Sequence, residues 1–209
     1  LRQKELNRIP VKFKKSNPRF SAKLHAKEYR LVWRTTANST DTRSLITTIL
    51  PPNVYCGHSL NYLTPILFDG TEYVKTVSNE ETIFLCGILN SFVQDFVMKH
   101  KTSRTISYFH INGLPIPRVD ESNNIHKKII NNASMLICTT DEYANLREEI
   151  GITEYVTDPE KRRVLEAQIN AAAAKIYELT KEEFEYILES FPSVDKKLKE
   201  QTMKEFLLL

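Results

Sequence analysis

The chain has 209 residues, enough to bury one sizeable core or two small ones, and its 41% apolar and 26% charged content is that of an ordinary globular protein. No apolar run approaches the roughly 20 residues that cross a bilayer, which argues against membrane insertion. The net charge of +3 hides an uneven distribution: residues 1–43 carry 12 Lys/Arg against 3 Asp/Glu, residues 44–118 carry 5 against 5, and residues 119–209 carry 12 against 18.

A basic front and an acidic rear fit a polyanion-binding face joined to a solvated helical part, although charge runs also arise as plain solvated surface. Residues 1–27 are a basic lead-in containing Lys12, Lys14, Lys15, Arg19 and Lys23. With Leu1 in place of an initiator Met and no signal peptide, the chain reads as a fragment of a longer protein. Three distant cysteines, Cys56, Cys86 and Cys138, point to a reducing cytoplasm. Cys56 and His58 have no second Cys/His pair at zinc-like spacing, so a packed thiol is the better reading there than half a metal site.

In chain order, "YRLVWRT" (29–35) alternates in character and predicts a strand with Leu31 and Trp33 on one face and Arg30, Val32 and Arg34 on the other. "SLITTILP" (44–51) predicts a buried strand or a short helix, and residues 54–67 predict a further strand or two broken near Gly57 and Pro65. Asp69-Gly70 is suited to a turn. Residues 78–100, capped by Ser78 or Asn79, predict one deeply packed helix, because their apolar positions are too many for a narrow stripe. "TISYFHI" (105–111) predicts a strand, after which Gly113, Pro115 and Pro117 impose an extended segment. Beyond residue 118 the pattern is helical, with Pro159 in a first turn and Thr180/Glu183 as a capping box. The expected fold class is therefore α+β: a mixed sheet with a packed helix over 28–118, a linker at 120–124, and a helical region over 119–209.

Three blocks resemble a known family. "YRLVWRTTANSTDTRSLITTILPP" is similar to a signature in the C-terminal target-recognition regions of N6-adenine DNA methyltransferases from restriction and phage-defence systems. "LNSFVQDFVMKHKTSRTISYFHINGLPIP" (89–117) resembles the next block, and "VLEAQINAAAAKIYELTKEEFEYILESFP" (164–192) the helical block that closes such chains. Where the family has a Gly before the Leu-Thr of that last block, this chain has Glu178. The resemblance implies the recognition end of a type IIG-like restriction-modification enzyme, or of a phage-exclusion methyltransferase, with 28–118 as its target-recognition domain. Its expected partners are double-stranded DNA and the methyltransferase domain of the same parent, with the C-terminal helices as the expected surface for a homodimer.

The resemblance also implies parts this chain lacks. Amino-methyltransferases of this kind use an Asn/Asp-Pro-Pro-Tyr/Phe motif, and "PPNVY" (51–55) has those letters in the wrong order. A Gly-rich turn for S-adenosylmethionine is hard to build from five glycines. The expectation is therefore no catalysis and no cofactor in this fragment, with S-adenosylmethionine bound in the missing domain and Pro51-Pro52 simply ending a strand. Two alternatives remain open: a metal-dependent nuclease site around Asp158, Glu160 and Lys161, and a helical subunit-contact module.

Base edges are read by Arg, Asn or Gln and by short hydroxyl side chains, while Lys and Arg hold phosphates. "RTTANSTDTRS" (34–44) supplies both kinds of group, and Arg34, Thr36, Asn38, Ser39, Thr40 and Arg43 are the expected DNA-facing residues. The bland alternative is a turn at Asn38-Ser39 with Thr40 or Asp41 as a cap. "KHKTSRTISY" (99–108) adds Lys101, Ser103, Arg104 and Thr105, where the alternative is charge complementing a helix C-terminus. Tyr55, Tyr108 and Phe109 have rings that can stack on a distorted base step, although strand aromatics more often enter the core.

Overall fold

The computed structural model describes residues 24–209 apart from Ser39, Thr40, Ser103 and Glu121. The basic lead-in, with Lys12, Lys14, Lys15, Arg19 and Lys23, lies outside the described residues, as do Ser39, Thr40 and Ser103. The architecture is α+β. Strands β1 (Arg30–Arg34), β2 (Thr47–Leu50) and β3 (Leu60–Tyr62) form a sheet in the order β2-β1-β3, and β4 (Ile66–Phe68) pairs with β5 (Tyr73–Lys75). Every strand pairing among the described residues is antiparallel, where a mixed sheet was expected. The turn at Asp69-Gly70 joins β4 to β5: Asp69 Oδ1 accepts from the Thr71 and Glu72 amides at 2.7 and 2.9 Å, and Gly70 takes φ +113°.

Eight α-helices follow: α1 (Asn79–Leu89), α2 (Phe92–Lys101), α3 (Tyr108–Asn112), α4 (Asn124–Ile137), α5 (Ala144–Glu149), α6 (Pro159–Ile176), α7 (Lys181–Glu189) and α8 (Lys196–Leu208). No single one among the described residues is long and apolar enough to cross a membrane.

Two elements differ from the sequence reading. The single helix expected over 78–100 is two, bent by 67° where Asn90 ends α1 and Ser91 caps α2. Periodicity runs through this break because both halves are deeply buried; tertiary hydrogen bonds decide it. Ser91 takes the Gln94 amide, and Asn170 from α6 takes the buried Phe92 amide at 2.7 Å. The strand expected over 105–111 is instead helix α3, with one bridge at Thr105; Ser107 starts the helix in a capping arrangement with His110.

The core explains how one sheet and these helices cohere. Leu31 and Trp33 of β1, Ile83, Phe84 and Ile88 of α1, Ile129 of α4 and Ala172 and Ala173 of α6 belong to one buried cluster that spans residues on both sides of 118. β1 is buried on both faces, since Arg30 and Val32 are as enclosed as Leu31. A second cluster joins Phe92 of α2 to Phe184, Phe191 and Phe206. The run Ala171–Ala174 is fully buried, and its residues are shared between the two clusters, so small side chains on every side let α6 pass between them. Close approach matters again at Gly87, where an added Cβ would lie 2.6 Å from Ile129 Cγ2.

At the end of α6, the Leu179 amide bonds the Ala174 carbonyl at 3.1 Å and the Glu178 amide bonds that of Lys175 at 3.0 Å. This is a Schellman closure, which needs a left-handed residue, and Glu178 supplies it at φ +54°. A side chain in that conformation costs about 1 kcal/mol relative to Gly. Glu178→Gly is therefore expected to raise the unfolding free energy by about 1 kcal/mol in urea titration; an unchanged or lower midpoint would refute the strain.

Candidate nucleic-acid interface

The sequence nominated two separate segments, and the fold lays them side by side. Thr36 and Thr105 form an antiparallel bridge, the Ala37 amide donates to the Arg104 carbonyl at 2.7 Å, and the Ile106 amide donates to that of Thr35 at 2.8 Å. Trp33 anchors the junction from beneath, its Nε1–H donating to the Ile106 carbonyl at 3.1 Å. Thr36, Asn38, Lys101, Arg104 and Thr105 are all exposed on this joined surface.

Beside it runs a groove of 760 Å³ whose walls include Asn38, Lys99, His100, Lys101, Thr102 and Ser190 and, among the described residues, no carboxylate. Lys99, His100 and Lys101 form the last turn of α2, so helix-end complementarity and groove charge coincide. Lys99 sits 4.0 Å from the Phe191 ring centroid, and burial lowers its pKa against the opposing pull of Asp95. Lys101 donates to the Gly113 carbonyl at the end of α3.

The two arginines nominated in the first segment are committed inward. Arg34 donates from Nε to the Ser44 carbonyl at 3.0 Å and also to the Arg43 carbonyl, and pairs with Asp41 at 2.9 Å. Asp41 closes a turn with Asn38, whose amide donates to it at 3.0 Å. That amide first, and the Arg34 guanidinium after it, hold the Asp41 carboxyl below its ordinary pKa. Ser39 and Thr40, between Asn38 and Asp41, lie outside the described residues, and Asn38 itself is exposed. Arg43 donates to Asp95 and to the Asn90 carbonyl, each at 2.6 Å, and lies over the Phe92 ring at 4.5 Å.

Sequence reading missed the residues that hold the loop. Strand β2 is an edge, and helix side chains cover its outer backbone in place of a fourth strand. Asn90 accepts from the Thr47 amide and returns a bond to the Thr47 carbonyl, both at 2.9 Å, as a neighbouring strand would. Asp95 takes the Ser44 and Leu45 amides at 3.0 and 2.8 Å, and the Tyr143 hydroxyl donates to the Ile49 carbonyl at 2.6 Å. These are contacts over about 40 residues or more of sequence, and no local signal announces them.

The other nominated chemistry is accounted for structurally. Pro51 and Pro52 follow the end of β2, and Asn53 turns the chain at φ +68° with its amide on the Ala26 carbonyl. Asp158 caps α6 by accepting from the Lys161 amide at 2.9 Å, and Glu160 pairs with Arg163. Among the described residues no three His, Cys, Asp or Glu side chains converge as a metal site requires. Cys56 is half-buried, whereas Cys86 and Cys138 are buried, with thiols pushed up to about 11 by burial.

A second cleft, of 480 Å³, lies between β2, α1, α4 and α6, and Glu166 lines it together with Leu136, Ile169, Arg43 and Arg162. Burial raises the Glu166 pKa despite the opposing Arg162 and Arg43 charges. A carboxyl raised on folding favours the folded state most below its unfolded value and loses that contribution as pH rises through the folded value. Glu166→Gln should therefore raise the melting temperature at pH 7, with the gain vanishing near pH 4; a gain independent of pH would show that its charge is not the cause.

Comparison with protein-family models, curated proteins and solved structures gives no match.

Proposed function

We propose that this chain is a sequence-specific double-stranded DNA recognition module of a restriction-modification or phage-defence adenine methyltransferase, with no catalysis of its own. The observation that carries this reading is the joining of residues 34–44 and 99–108 through the Thr36–Thr105 bridge into one surface beside a groove that no carboxylate among the described residues lines. Lys101, Arg104 and the groove cations suit phosphates, while Asn38, Thr36 and Thr105 offer short groups for base edges. Arg34 and Arg43 then act by shaping the loop that presents Asn38. Glu178 lends support from elsewhere: the position at which the resembling family has Gly takes a left-handed backbone here.

The parent's methyltransferase domain would bind S-adenosylmethionine and flip the adenine, while this module sets the register on the duplex. The acidic helical region carries exposed Tyr186, Leu207 and Leu208, a surface suited to packing on that domain or on a second copy.

The test is duplex binding by the purified chain across a salt series, followed by selection from a randomised duplex pool. With about four phosphates neutralised, the plot of log K against log salt should have a slope between about −3 and −4, and selection should enrich one short motif. Absence of duplex binding at low salt, or binding that enriches no motif, would defeat the reading.

A further inference from the structure

We propose that Phe109 is a wedge that enters a base-pair step of bound duplex DNA; this rests on the recognition reading above. Phe109 is 82% exposed, the most exposed of the large hydrophobic side chains among the described residues. An isolated apolar side chain on a surface is ordinary, but this one stands on an immobilised support. The short helix α3 is held by Ile106 and Ile111, both buried, and by Tyr108, whose ring meets Trp33 edge-on at 5.0 Å and whose hydroxyl donates to the Tyr62 carbonyl at 2.9 Å. Tyr108, itself 45% exposed, thus leans on the body of the protein, while its neighbour Phe109 stands further out. The ring contact of Phe109 among the described residues is the edge of His110, at 5.7 Å between centroids.

Charge selects the occupant. Between Asp95 and Asp120 the chain contains no carboxylate side chain, while Lys99, Lys101 and Arg104 all fall in that interval. Phe109 follows exposed Arg104 and Thr105 by four or five residues, and Lys101 reaches the carbonyl of Gly113 at the far end of the same helix. An exposed apolar ring on a short helix whose far end is met by Lys101, in a stretch of chain that carries cations and no carboxylate, matches a duplex whose phosphates are held while one step is unstacked. An apolar protein partner would find no reason in this surface for so much positive charge.

The experiment uses the 209-residue chain and duplexes of its selected site carrying 2-aminopurine at successive positions. Binding should brighten the reporter at one step only, and Phe109→Ala should abolish that signal and weaken binding about tenfold without changing the salt slope. Because the ring is exposed, the variant's melting temperature should equal that of the parent. Phe109→Trp gives a second readout: the chain's one tryptophan, Trp33, is fully buried, so the new indole reports alone on quenching by stacked bases. If the parent binds its site and Phe109→Ala binds equally well with the same reporter signal, the wedge is refuted and the recognition reading stands. If the parent binds no duplex, both fall together.

Discussion

Asp95→Ala is expected to destabilise the protein by about 3–5 kcal/mol, the range for removing one partner of a buried ion pair. The Asp95 side chain is fully buried, and it is the common acceptor for three groups on one loop: the Ser44 amide, the Leu45 amide and Nε of Arg43. Truncation takes that acceptor from all three, and each buried amide left unpaired carries about 1–3 kcal/mol of desolvation cost. Against a total stability of about 5–15 kcal/mol for a domain, that loss approaches unfolding. Asp95→Asn keeps an oxygen for the amides but turns a donor toward Arg43, so it should cost less, about 2 kcal/mol. Urea unfolding followed by circular dichroism measures both. An Asp95→Ala loss below about 1 kcal/mol would mean that the carboxylate does not hold this loop.

That carboxylate also shows where sequence reading stops. The helices after residue 158 are legible because their signals are local: Asp158 and Thr180 cap within three residues of their targets, and Pro159 sits where its missing N–H costs nothing. The Asp69-Gly70 turn is legible for the same reason. The break between α1 and α2 is not, because Asn90 and Ser91 look like tolerable helix interior until β2 and Asn170 supply the competing bonds. Helix α3 reads as a strand because Ile, Tyr and Phe favour strands, and only the pairing of Ser107 with His110 favours the helix. Among the candidate site residues, the two segments were visible from composition, whereas their contact through Thr36 and Thr105 was not. The exposure of Phe109 was hidden too, since a strand would have made a core position of it.

Arg43 and Arg104 separate the two roles that an arginine can have in such a surface. Arg43→Ala should cost about 3–5 kcal/mol, because it strands the buried Asp95 charge and removes the guanidinium from the Phe92 face. Its effect on DNA binding should follow the loss of folded protein: affinity per folded molecule falls little, and the salt slope stays that of the parent. Arg104 is exposed, and among the described residues its tie to the fold is the bond its backbone carbonyl accepts from the Ala37 amide. Arg104→Ala should leave the unfolding free energy within about 0.5 kcal/mol of the parent, yet reduce the salt slope by about one. The contrast rests on where each charge sits: one arginine neutralises a carboxylate inside the protein, while the other is available for a phosphate outside it. Should Arg43→Ala instead keep its stability and lose the salt slope, the guanidinium would have to leave Asp95 on binding, and the loop would open onto the DNA rather than present a preformed face.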